Sequence, residues 1–75
     1  MEKTAESVLK KAREQGVPVL VLVAKDKCSI EAVIEYFKEC LRQDCTLKYL
    51  VEIGGILVQF DDWKRSNPDK MKLPD

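Results

Sequence analysis

The chain has 75 residues with 13 basic side chains, 13 acidic side chains and no histidine, so its formal net charge is zero. That length holds one small domain, and an apolar fraction of 45% is enough for a folded core. Chemistry that needs a histidine base, ligand or pH switch is excluded, and a strongly basic surface for phosphate backbones is not implied.

The first predicted element runs from about Ala5 to Gln15. Ala5, Val8, Leu9 and Ala12 share one helical face. Thr4 is the expected N-cap, Glu6 suits the first turn, and Gly16 is a natural stop because it takes a left-handed conformation without a clash.

Val17 to Ala24 reads as a strand. Val-Pro-Val-Leu-Val-Leu-Val-Ala is rich in β-branched residues and has no alternating polar position. Pro18 belongs near its start, where a missing donor is tolerated. A strand apolar on both faces calls for cover on both.

A second helix follows from about Ile30 to Gln43, with Ile30, Val33, Ile34, Phe37 and Leu41 as its apolar stripe. Ser29 is its expected N-cap, and Cys28 its weak hydrophobic staple against Val33. Glu35–Lys38 and Glu39–Arg42 are spaced as helix-surface pairs.

The remainder reads as a β-hairpin. Leu47, Tyr49, Val51 and Ile53 alternate with Lys48, Leu50 and Glu52. Gly54-Gly55 fits a tight primed turn, and Ile56, Val58 and Phe60 alternate with Leu57, Gln59 and Asp61. The second reading is a short helix from Leu47 to Ile53 stopped by Gly54. Residues 66–75 form a polar tail, expected to be flexible, after a single domain over 1–65.

The order α-β-α-β-β implies an α+β or α/β two-layer sandwich, with a small sheet and both helices on one of its faces. The other sheet face would then hold Leu50, Leu57 and Trp63, rimmed by Lys48, Glu52 and Gln59. An apolar centre with a polar rim is the anatomy of an interface. One set from the first strand, Leu20 and Leu22 or Val19 and Val21, would join it. The expectation is a non-catalytic interaction or assembly domain that pairs with itself as a homodimer, or with another protein, through that sheet face. A tail folded back on Trp63, Met71 and Leu73 is the alternative cover.

The second functional reading is a nucleic-acid-associated regulatory protein using Lys10, Lys11 and Arg13, joined by Lys3, although acids interleave throughout. An enzyme is the third, and lacks a complete nucleophile–base arrangement. Cys28 near a helix start is a candidate reactive thiol. Cys40 and Cys45 lie five apart. A disulfide between them is geometrically possible, and packing at a helix end is the preferred reading. Cys28, Cys40, Cys45 and Asp44 do not have zinc-site spacing, so neither metal nor cofactor is expected. Asp61 and Asp62, beside Trp63, would point to opposite faces of a strand. No apolar run follows a basic patch at the N-terminus, Val17–Ala24 is too short to cross a bilayer, and the cysteine count is odd. These features point to a cytoplasmic protein without membrane partners.

Overall fold

The computed structural model describes residues 4–74. It contains three α-helices: α1 (Ala5–Glu14), α2 (Ser29–Arg42) and α3 (Leu47–Ser66), followed by a short 3-10 turn over Pro68–Lys70. The described residues contain no β-strand; the one β-type contact is an isolated parallel bridge between Asp26 and Lys72. The expected α+β sandwich is therefore replaced by an all-helical fold, and with the sheet goes the sheet face assigned to a homodimer or another partner.

The error lies in the second half of the chain. Its apolar residues satisfy two periods at once: Leu47, Tyr49, Val51 and Ile53 alternate, while Leu50, Ile53, Leu57 and Phe60 follow helical three-four spacing. The helical period prevails because it gives one long inner face that α2 can cover. Thr46 starts the helix, its hydroxyl accepting from the Tyr49 N–H at 3.3 Å. The helix then runs through Gly54 and Gly55 for a total of 20 residues. Neither glycine has a positive φ, and a Cβ at either would meet open space. Both sit in the helix without a local conformational need, at a cost of about 1 kcal/mol each relative to alanine.

Once that segment is helical, Val17–Ala24 has no ladder to join. A strand exists only through its neighbours' backbone groups. Residues 17–23 accordingly run without regular structure or bend.

The helix ends follow the sequence more closely. Thr4 caps α1 through a reciprocal capping box with Ser7. Gly16, at φ 67°, ends α1 in a Schellman turn: the Val17 N–H donates to the Ala12 carbonyl at 2.9 Å and the Gly16 N–H to Arg13 at 3.2 Å. At the start of α2 the cap differs from expectation. Cys28 occupies the N-cap position and makes no side-chain cap. Asp26 supplies it instead, its carboxylate accepting from the Cys28 N–H at 2.7 Å and its carbonyl accepting from the Ser29 hydroxyl at 2.8 Å. Ser29 is completely buried there, with its hydroxyl satisfied.

The core lies between α2 and α3, which pack as an αα-hairpin joined by residues 43–46. Ile30, Val33, Cys40 and Ile53 are its buried apolar residues. Ile34, Phe37, Leu50, Leu57 and Phe60 flank it half-buried, whereas Leu41 is exposed. The α1 helix buries no residue. The tail returns to the start of α2: the Lys72 N–H donates to the Lys25 carbonyl at 2.8 Å, and the Lys27 N–H to the Lys72 carbonyl at 2.7 Å.

Candidate functional site

The helical register of α3 redistributes the residues expected to form one sheet face. At 100° per residue, Leu50 and Leu57 fall on the inner side with Ile53 and are half-buried. Lys48, Glu52 and Gln59 fall on the opposite side and are exposed. Trp63 is half-buried one turn before the end of α3. The apolar trio and the polar trio thus do not share a patch. Lys10, Lys11 and Arg13 are all exposed on α1, whereas Lys3 lies outside the described residues.

The remaining candidate groups also separate. Asp61 forms an ion pair with Arg65 at 2.9 Å across one helical turn, and Asp62 is exposed beside it. Cys28 is exposed at the opposite end of the α2–α3 hairpin from Cys40 and Cys45. Lys27, Lys64, Pro68 and Met71 line an open depression of about 290 Å³ where the tail meets the hairpin. Among the described residues there is no group of three or more metal-ligating side chains. No helix among them is long and apolar enough to cross a membrane.

Two features stand out from this background. The first is the segment after α1. Leu20 is 81% exposed and Val21 65%, and Val17, Val19 and Val23 are each about half exposed. Within residues 18–22, no backbone N–H or C=O group is hydrogen-bonded to another described residue. Side chains selected for burial and backbone groups that demand partners are therefore presented together. Their β-branched, uninterrupted apolar pattern predicted a strand, where the structure has none. Leu20, Leu22, Val19 and Val21 need no choice between alternating sets, because there is no sheet to divide them; only Leu22 is half-buried.

No protein-family model, curated protein or solved structure matches this chain. The site must be read from its own geometry.

The second feature is a polar cluster at the α2–α3 turn. The Tyr36 and Tyr49 hydroxyls are 2.7 Å apart, and their rings meet edge to face with centroids 6.4 Å apart and an interplanar angle of 81°. The Cys40 thiol lies one turn further along α2. Cys45 follows the end of α2, its N–H donating to the Cys40 carbonyl at 3.0 Å. The hydrogen bond with Tyr49, followed by burial, pushes the Tyr36 phenol well above its usual range. Burial, followed by the neighbouring Cys40 thiol, pushes the Cys45 thiol up as well. No sequence signal pointed to the tyrosine pair, since contact between positions 36 and 49 requires two antiparallel helices.

Proposed function

We propose that this protein is an interaction module that lends residues 17–23 as an added strand to the exposed sheet edge of a partner protein. The observation that carries this reading is the coincidence of exposed β-branched side chains over residues 17–23 with backbone groups over residues 18–22 that have no hydrogen-bond partner among the described residues. Strand addition satisfies both needs at once: the backbone supplies affinity, and alternate side chains enter the partner's pockets. Val17, as the residue before Pro18, is biased towards extended backbone, and Pro18 sits at the edge of the segment, where its missing N–H interrupts the least pairing.

Surface area supports the same reading. The chain exposes 6505 Å², whereas a compact monomer of its mass exposes about 4,700 Å². The excess is more than the roughly 800 Å² that one partner contributes to a standard interface. Its radius of gyration is 13.9 Å, against about 11 Å for a compact chain of this length.

The test places a photo-crosslinking residue at position 20 of the full chain in its own cell. Each captured protein is then purified and its affinity measured directly. Leu20→Lys and Val21→Pro should each weaken binding at least about tenfold, the first by placing a charge in a desolvated pocket and the second by removing a ladder donor. Amides of residues 19–23 should gain hydrogen-exchange protection in the complex. Binding that survives both substitutions, or a complex in which those amides exchange as in the free chain, defeats the reading. So does capture that disappears only when Lys10, Lys11 and Arg13 are neutralised.

A further inference from the structure

The α2–α3 turn brings two thiols together by a defined backbone device. After Arg42 the chain passes through Gln43 and then Asp44, which adopts a left-handed φ of 55°. The Asp44 N–H donates to the Leu41 carbonyl at 3.2 Å, and the Cys45 N–H donates to the Cys40 carbonyl at 3.0 Å. These are the two hydrogen bonds of a Schellman turn, the same stop that ends α1. The motif characteristically brings the side chain three positions before the cap against the side chain two positions after it, usually as an apolar contact. At the end of α1 the corresponding residues are Ala12 and Val17. At the end of α2 both positions are cysteine: Cys40 is buried and Cys45 is half-buried. The two cysteines thus occupy the positions whose side chains this motif brings together, whereas Cys28 lies exposed at the far end of α2.

We infer that Cys40 and Cys45 form a dithiol modification site, oxidised as a unit to an intrachain disulfide by a low-molecular-weight disulfide. Their exposures order the steps. Cys45 is the thiol that solvent-borne reagents reach, and Cys40 is the one held against it. Cys45 gives its proton to solvent, and its thiolate attacks one sulfur of the reagent disulfide. The reagent's S–S bond breaks, a mixed disulfide forms on Cys45, and the first reagent thiolate leaves and takes up a proton. Cys40 then loses its proton and attacks the Cys45 sulfur, releasing the second reagent thiolate. In sum, two protein thiols are oxidised by two electrons, one reagent disulfide is reduced, and two reagent thiols carry away the two protons. The reverse reaction, with excess thiol, restores the pair. The product joins the last turn of α2 to the residue before the Thr46 cap of α3, covalently fixing the joint of the helical hairpin. This site is separate from the partner-binding segment and does not depend on it.

The sequence makes the test direct, because Arg42 lies between the two cysteines. The full chain is incubated with oxidised glutathione, its remaining thiols are alkylated, and it is digested with trypsin. Peptides Glu39–Arg42 and Gln43–Lys48 should be recovered joined, two hydrogens lighter than the separate pair, with Cys28 alkylated or carrying glutathione. Excess reduced thiol should return both peptides to the free form. Cys28→Ser should leave the product unchanged, whereas Cys40→Ser should leave Cys45 with a stable mixed disulfide. In denaturant, the proportion of joined product should fall about tenfold relative to products involving Cys28, because the folded turn supplies the orientation. A mixed disulfide that persists on Cys45 of the unsubstituted chain overturns the inference. So do chain-to-chain dimers through Cys28 as the main product, or an unchanged product ratio in denaturant.

Discussion

Tyr36 shows how one side chain can report on the whole α2–α3 joint. Its hydroxyl is shared with Tyr49, and the neutral phenol is favoured in the fold. Cys45, at the same helical joint, is likewise favoured as the neutral thiol. For groups whose native ionisation is pushed up, the stabilisation is fully present below their ordinary values and is lost as the pH rises through the native ones. Those ordinary values are 9.0 for the thiol and 10.0 for the phenol. The melting temperature should therefore hold steady up to about pH 8 and fall progressively above about pH 9 as both groups are forced to ionise. Tyr49→Phe removes the first cause of the Tyr36 shift. Phenolate absorbance should then show Tyr36 titrating at lower pH than in the parent chain, and no change in that titration would refute the assigned contact. The neighbouring Asp44 shows what residue identity conceals. A left-handed helix stop is most often glycine, as at position 16, and an aspartate in that role is not distinguishable in sequence from an ordinary solvated acid.

At the scale of the element, the lesson lies in Gly54-Gly55. Read locally, the pair is a hairpin turn between alternating runs, whereas in the fold it is the midpoint of a helix. The two possibilities demand opposite backbone signs, and the difference can be measured. In a primed turn a Cβ is opposed by positive φ, whereas in α3 there is room for it and φ is ordinary. Gly55→Ala should accordingly raise the unfolding free energy by about 0.5–1 kcal/mol, read from denaturant midpoints at constant slope. Destabilisation of that size would restore the hairpin. Elements whose signals were redundant were legible from sequence: α1 has a capping residue, a periodic face and a terminal glycine, and α2 has a clear stripe with surface pairs at 3.3 Å for Glu35–Lys38 and 2.8 Å for Glu39–Arg42. The run from Leu47 to Phe60 was not, because a mostly apolar stretch fits either period, and only the presence of α2 as a covering partner decides between them.

Across the whole molecule, the buried core and the proposed partner-binding segment lie in different parts of the chain. The buried apolar residues Ile30, Val33, Cys40 and Ile53 all belong to the helical hairpin, while exposed ones occur after α1, at Leu20 and Val21, and also on α3 and in the tail, at Leu47, Val51, Val58 and Leu73. Ile53→Ala should cost about 2–4 kcal/mol, a large share of what a domain of this size possesses. Leu20→Ser should alter the midpoint by less than about 0.5 kcal/mol, since its side chain already faces water. Similar losses for the two would show that the segment is part of the core. The sequence identified both groups of residues as apolar. It did not reveal that one of them has no intramolecular partner, because hydropathy records a preference for burial and not which surface satisfies it.

The exposed segment also bears on the fate of the chain when no partner is present. Val19 to Ala24 is six consecutive apolar residues without charge, the composition from which stacked, self-templating strands nucleate. Pro18 at one end and Lys25, Asp26 and Lys27 at the other are the residue types that interrupt such stacking. If the segment binds as proposed, recognition and fibril growth would compete for the same backbone, with the flanking proline and charges weighing against the second.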